Sequence, residues 1–93
     1  MTPYILPARR EPYAELEKQV ERTRIDNLGE LVYLFCRFAD IYMGQHVINF
    51  DNLHLIRSAF DAAKDDFVEN ILSPYERTKR KANGTVYTYW GQR

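Results

Sequence analysis

Residues 49–72 read NFDNLHLIRSAFDAAKDDFVENIL, and this stretch decides the fold. Apolar side chains recur along it at helical spacing: Leu53, Ile56, Phe60, Ala63, Phe67 and Ile71. A stripe of this kind, with charged residues on the opposite face, is typical of an amphipathic helix that packs on a core. Asn49 or Asp51 can cap its first turn. The sequence therefore predicts a long helix that ends near Ser73.

A second helix is predicted immediately before this one, beginning after Asp26 or Asn27. Its main apolar stripe consists of Leu28, Leu31, Val32, Phe35, Ala39 and Tyr42. Further apolar residues widen the stripe around most of the circumference, which is typical of a helix that is central or shared with a partner chain. Gly44 is expected to end the helix as a left-handed cap, and an extended link, Val47-Ile48, follows.

The first helix is expected to begin near Pro12 and to fade around residues 24–25, because proline suits the first turn of a helix. Residues 1–10 are predicted to form an extended arm, since Pro3 and Pro7 disfavour helix in the residues before them. The arm has an apolar centre, which suggests that it packs on the body of the protein or on a neighbouring subunit.

The end of the chain combines a short helix with a strand-like tail. Ser73 and Glu76 have the spacing of a capping box, with Pro74 between them at the first helical position, which predicts a fresh helix or a kinked continuation over 74–82. Asn83-Gly84 either ends that helix or makes a tight turn. Residues 85–90 alternate and are rich in β-formers, so 85–93 is predicted to be a β-like tail.

These elements predict a single, mainly α domain over residues 1–93. It has three main helices, a short fourth helix and a minor β element made by the termini. We expect a homo-oligomer, because the second helix is too apolar for a monomer surface and the tail strand needs a partner. The small size of the chain favours the same conclusion, since 93 residues bury only part of their surface alone.

The net charge is zero, but the charge is unevenly distributed. Residues 26–73 carry three Lys/Arg and eight Asp/Glu, whereas residues 74–93 carry five and one. A neutral total argues against a protein that coats long nucleic acid. The basic end is compatible with a small phosphate ligand, or with electrostatic attraction to the acidic middle.

The remaining composition predicts a soluble cytoplasmic protein. The one cysteine, Cys36, excludes an intrachain disulfide and is expected to be a buried, inert thiol. The N-terminus has no apolar signal core. No apolar run approaches the ~18 residues that span a bilayer, so no membrane association is expected.

Several blocks resemble a family of short uncharacterised proteins found mainly in phages and prophages. They are Pro3-Tyr4-Ile5-x-Pro7-x-x-Arg10, Asn27-Leu28-Gly29-Glu30-Leu31-x-Tyr33, Pro74-Tyr75-Glu76-x-x-Lys79 and Asn83-Gly84-x-Val86-Tyr87. The resemblance covers nearly the whole chain and implies a compact, mostly helical phage-type protein, with no chemistry attached. The chain departs from the family pattern by extending past Tyr87 to Arg93 and by having Thr85 where an acidic residue is usual.

The basic and aromatic residues near the termini form the candidate ligand site: Arg9, Arg10, Arg77, Arg80, Lys81, Tyr87, Tyr89 and Trp90. Arginine offers phosphate a planar fork of donors, and aromatic rings stack on bases. The arm residues would join if the arm folds over the tail. The alternative is a solvated helix face followed by a strand that packs its rings into a subunit interface.

Other candidates favour structural roles. Asp61, Asp65 and Glu69 share a helix face that could hold Mg²⁺, but the paired carboxylate motifs of helical pyrophosphohydrolases are missing and a solvated face is the simpler interpretation. His46 and His54 have no metal-ligand spacing. No nucleophile has an activating context, so no catalytic residue, metal or cofactor is expected.

Three functional hypotheses follow. The first is a non-enzymatic, phage-type binder that sequesters a nucleotide-type ligand, such as a cyclic immune-signalling nucleotide, at subunit interfaces as an anti-defence protein. The second is a protein-protein inhibitor or accessory protein of a phage. The third is a Mg²⁺-dependent nucleotide pyrophosphohydrolase. The first rests on analogy of size and general character.

Overall fold

The structure, a computed structural model, describes residues 3–87 and is mainly helical, as predicted. Its helices are α1 (Pro7–Arg10), α2 (Ala14–Arg22), α3 (Leu28–Gly44), α4 (Phe50–Phe67) and α5 (Ser73–Asn83). A 3-10 turn, Glu11–Tyr13, joins α1 to α2, and a π turn, Val68–Leu72, joins α4 to α5. Within the described range no residue belongs to a β-strand.

The N-terminal helical region begins earlier than predicted. Pro7 is the first residue of α1, and Pro12 lies inside the 3-10 turn, so residues 7–10 are helical and not extended. Proline suits the first helical position for two reasons. Its fixed φ matches the helix, and the N–H that it lacks would have no acceptor within the helix at that position. Arg10 Nε donates a hydrogen bond of 2.8 Å to the carbonyl of Ile5, which ties α1 back to the arm.

Asn27 caps α3, which was one of the two predicted possibilities. Its Oδ1 accepts from the backbone N–H of Glu30 at 2.9 Å. The Glu30 carboxylate reaches back, accepting from the backbone N–H of Asp26 at 3.0 Å and from Asn27 Nδ2 at 2.9 Å. This reciprocal arrangement satisfies N–H groups that the first helical turn would otherwise leave open.

Gly44 does not form the predicted left-handed cap. It is the last residue of α3, and the one positive φ among residues 3–87 is at Gly84. The carbonyls at the end of α3 have partners that need no left-handed residue, because the Gln45 N–H donates to Tyr42 and His46 Nδ1 lies 2.8 Å from the same carbonyl oxygen.

Asn49 caps α4, again one of two predicted possibilities. Its Oδ1 accepts from the backbone N–H of Asn52 at 2.8 Å. The Asn52 side chain is half-buried, and its Nδ2 donates to the carbonyl of Val47 at 2.7 Å, which holds the link between α3 and α4 against the start of α4.

The predicted capping box at Ser73 is wrong. Leu72 and Ser73 both have right-handed helical backbone angles, and no side chain caps α5. Pro74 has no N–H, and inside a regular α-helix its ring meets the carbonyl four residues back. The helix widens into the π turn just before this point and continues. Because the helix continues through Ser73, this point is not a helix start, and it has no unpaired first-turn N–H groups that Ser73 could cap.

Gly84 ends α5, with φ 87° and ψ 159°. Its N–H donates to the carbonyl of Arg80 at 2.8 Å. The described part of the predicted strand, residues 85–87, pairs with no other segment within residues 3–87, so the minor β element is not supported there. The rest of the β-like tail lies outside the described residues.

The helices leave an open structure in which α3 and α4 lie side by side. No side chain within residues 3–87 is fully buried, and Cys36 is exposed, contrary to the prediction of a buried thiol. The radius of gyration is 17.9 Å, whereas a compact domain of this length has about 12 Å. The compact chain implied by the family resemblance is therefore not seen in a single copy.

Candidate functional site

A polar cleft of about 660 Å³ lies beside the C-terminal half of α5. Its polar and aromatic lining consists of Ser73, Glu76, Arg77, Lys79, Arg80, Asn83, Thr85 and Tyr87. Among the α5 members, Glu76, Arg80 and Asn83 are four and three residues apart, so they share one side of the helix. Gly84 turns the chain, and residues 85–87 form the other wall.

The turn after α5 holds the second wall in a defined conformation. The φ and ψ of Gly84 lie in a region that is essentially restricted to glycine. Immediately after it, Thr85 Oγ1 accepts a hydrogen bond of 3.1 Å from the backbone N–H of Tyr87. The cleft therefore depends on one glycine and one hydroxyl for the placement of the Tyr87 ring.

Positive charge dominates the cleft. Three cations, Arg77, Lys79 and Arg80, line it with a single carboxylate, Glu76. Each ion pair among residues 3–87 involves other side chains, so both guanidinium groups keep their donors available. The Lys79 ammonium lies 5.7 Å from the centre of the Tyr75 ring, a distance at which ring and cation attract.

The helix itself accounts for part of this charge. Arg80 and Lys81 are in the last turn of α5, where cations interact favourably with the negative end of the helix dipole. The same dipole disfavours an anion at this end of the helix. Any anion bound in the cleft must therefore gain its binding energy against the helix dipole, and the side-chain cations are the groups that can supply it.

The structure brings together three of the eight predicted site residues. Arg77, Arg80 and Tyr87 line the same cleft. Lys81 belongs to α5 but is not part of the lining, and the α1 residues Arg9 and Arg10 do not line it either. The other two predicted residues, Tyr89 and Trp90, lie outside the described residues.

The cleft also contains residues that were not among the predicted site residues. Asn83 and Thr85 add an amide and a hydroxyl, and Lys79 and Glu76 complete the charged lining. The helical spacing of Glu76, Arg80 and Asn83 was a usable signal for one shared side of the helix. Thr85 carried no such signal, because its position depends on the Gly84 turn.

The arm is anchored on α4. Tyr4 Oη donates a hydrogen bond of 3.1 Å to Asp66 Oδ2. This bond raises the pKa of Tyr4 above its usual value, with smaller contributions from the negative charges of Asp66 and Glu69 and from partial desolvation. This hydrogen bond joins the arm to the last turn of α4, while the apolar side chains Ile5 and Leu6 stay exposed.

The predicted acidic face has other contacts. Lys64 Nζ lies 3.5 Å from Asp65 Oδ1, and Asp66 binds Tyr4 and the amide of Asn70. No group of three or more His, Cys, Asp or Glu side chains in the described part of the chain is arranged to hold a metal ion.

Each histidine ring lies against an aromatic ring four residues before it. The His46 ring lies on Tyr42, with 4.0 Å between centroids, and the His54 ring lies 4.1 Å from Phe50. Each contact is between residues four apart, the ordinary spacing of neighbours on a helix surface.

None of the helices in residues 3–87 has the length and apolar character needed to cross a bilayer.

A protein-family model described as Domain of unknown function (DUF6899) matches residues 2–86. No curated protein and no solved structure matches the chain. The predicted membership of a family of uncharacterised proteins is confirmed. The matched range includes Arg77 and Arg80 of the cleft and ends just before Tyr87.

Proposed function

The chain belongs to the DUF6899 family, a domain of unknown function, and from that premise we propose that it is a non-enzymatic protein that binds and sequesters a nucleotide-type ligand. The observation that carries the proposal is the cleft beside α5. Arg77 and Arg80 line it together with the Tyr87 ring, and neither guanidinium has an ion-pair partner among residues 3–87.

The chemistry of the lining suits the two halves of a nucleotide. The guanidinium forks of Arg77 and Arg80 can each bind two phosphate oxygens. The Tyr87 ring offers a face on which a base can stack. The Asn83 amide can donate to and accept from a base edge, and the volume of about 660 Å³ is within the usual range for small-molecule sites.

Sequestration is proposed because the lining offers binding groups without an activated nucleophile. Glu76 is the one carboxylate that lines the cleft, and it stands among three cations. A ligand held in this way is not altered chemically, and it is intact when it is released from the protein. In the biological setting that we propose, a phage-type protein in the host cytoplasm withdraws a cyclic immune-signalling nucleotide. Its placement at a subunit interface stays a prediction, since one chain supplies the described lining.

The test combines a thermal shift with recovery of the ligand. The purified protein is incubated with cyclic di- and trinucleotides and cyclic ADP-ribose isomers, and its melting temperature is measured. The protein is then heat-denatured, and the released compound is identified by mass spectrometry. A raised melting temperature with the intact compound released supports sequestration, because a ligand that binds only the folded state stabilises it.

A pair of matched double variants locates the site. Arg77→Ala with Arg80→Ala should abolish the shift. Arg22→Ala with Arg57→Ala removes the same charge outside the cleft and should leave the shift intact. Equal shifts in both double variants would show that the cleft is not the site.

Two other results would replace the proposal. A chemically altered ligand, with turnover that EDTA abolishes, would establish the hydrolase hypothesis. No shift with any member of the panel would refute nucleotide binding. The hypothesis of a protein-protein inhibitor or accessory protein would then be tested by isolating a stable complex that survives removal of small molecules.

A further inference from the structure

We infer that the apolar groove between α3 and α4 is covered by the same groove of a second copy of this chain, which makes the folded unit a homodimer built around a four-helix bundle. This inference concerns a surface other than the α5 cleft and does not depend on ligand binding.

The groove is large, apolar and open. It has a volume of about 890 Å³, and its lining includes Leu31, Phe35 and Tyr42 from α3 and Ile56, Phe60 and Phe67 from α4. Phe35 is 47% exposed and Phe67 is 56% exposed. Soluble monomers rarely leave a continuous apolar surface of this extent uncovered. The stripe that the sequence predicts to face a core therefore faces a groove that no segment of residues 3–87 fills.

The exposed area matches what an obligate dimer needs to cover. The chain exposes 8704 Å², whereas a compact folded monomer of 11.1 kDa exposes about 5,700 Å². The excess is about 3,000 Å² for each copy. Obligate homodimers bury about 2,000–5,000 Å² in total. Covering half of the excess on each of two copies places the interface within that range.

The spacing of the lining residues favours a copy of the same surface. The lining includes one row on each helix with steps of four, three and four residues: Leu31, Phe35, Phe38 and Tyr42 on α3, and Ile56, Phe60, Ala63 and Phe67 on α4. A pattern of alternating three- and four-residue steps is typical of helices that pack in bundles. It is unchanged when the direction is reversed, so a two-fold-related copy presents a matching stripe. A helical hairpin with one such face is half of a four-helix bundle.

The charged residues that line the groove also favour a second copy of the chain as its partner. Asp61 and Lys64 are the charged residues in the groove lining, and both belong to α4. In a two-fold interface, residue i contacts residue j of the other copy and the reverse contact also occurs. Antiparallel packing of α4 on its copy, with the two-fold axis between Ala62 and Ala63, would set Asp61 opposite Lys64 of the partner subunit and, by symmetry, Lys64 opposite the partner's Asp61.

The first measurement is the mass and thermal stability of the full chain. Sedimentation equilibrium should give twice 11.1 kDa, and the melting temperature followed by circular dichroism should rise over an about hundredfold increase in concentration, as mass action requires. A mass of one chain with a cooperative, concentration-independent melt would overturn the inference, because the chain would then be folded alone. A mass above two copies would overturn the dimer.

A charge-swap cycle tests the pairing without removing apolar side chains. Asp61→Lys and Lys64→Asp should each weaken dimerisation by about two- to tenfold, because each sets like charges against each other across the interface. The double variant should return the dissociation constant to near the wild-type value. Glu17→Lys on α2 is the control for the change in net charge and should have no effect. Identical dissociation constants for all variants would overturn this pairing of the grooves.

Discussion

The Gly84→Ala substitution tests how the cleft is built, because it changes one backbone conformation and nothing else. Gly84 has φ 87° and ψ 159°, and a Cβ added there meets no atom within 4 Å. Steric overlap with other residues is therefore absent. The cost comes from the backbone conformation itself, about 1–3 kcal/mol for a side chain in such a region.

The chain can respond in two ways. Alanine either keeps the turn, which lowers the free energy of unfolding by this cost and leaves affinity unchanged, or relaxes to negative φ, which carries Thr85 and Tyr87 away from Arg77 and Arg80. Because residues 85–87 are exposed, we expect relaxation, and ligand binding must then supply the energy of the original turn. We expect affinity to fall by about 5- to 150-fold, the equivalent of that range. The melting temperature of the free protein should change little, because residues 85–87 are exposed.

Isothermal titration with the nucleotide that gives the largest thermal shift measures this effect. Gly44→Ala is the matched control, because Gly44 is in α3 with right-handed angles and also has open space around its Cβ position. Alanine should stabilise that helix by about 0.5–1 kcal/mol without altering affinity. Wild-type affinity in Gly84→Ala would refute the argument that this turn positions the Tyr87 wall.

Two further predictions concern the scaffold. Replacing Asn27 or Asn49 with alanine should each lower the free energy of unfolding by about 1 kcal/mol, measured by urea denaturation, because each removes a helix cap. The raised pKa of Tyr4 means that its contribution to stability is complete below about pH 10 and is lost as pH rises through the raised value. Tyr4→Phe should abolish that alkaline loss, and a Tyr4 ionisation equal to that of an exposed tyrosine in an absorbance titration would contradict it.

The features that were predictable from the sequence are those set by local interactions. Asn27 and Asn49 precede helices whose first turns need acceptors, and a short polar side chain in that position meets the need wherever the helix lies. The α4 stripe is equally local, since a repeat of three and four residues places Ile56, Phe60 and Ala63 on one face. These signals gave both ends of α3 and the start of α4 to within one or two residues, whereas α4 gives way to the π turn after Phe67, before the predicted end near Ser73.

The predictions that were wrong depended on neighbours. Ser73 and Pro74 resemble a helix start, but the predicted capping box is absent; the helix continues through the π turn, which is the other outcome that the sequence left open. Gly44 resembles a left-handed cap, yet other groups satisfied the carbonyls near it. Cys36 was expected to be buried because α3 is apolar, and burial requires a covering surface that residues 3–87 of one chain do not supply.

The π turn links the two proposed sites and sets their relative direction. The groove stripe on α4 ends at Phe67, and the cleft begins with Ser73. A π turn adds about one residue to a helical repeat, which rotates every later side chain by about 100° relative to an unbroken α-helix. The continuation of the groove stripe then passes through Tyr75 and misses Arg77 and Arg80. A second copy that covers the groove therefore leaves these two arginines accessible, so one molecule can be dimeric and liganded at once.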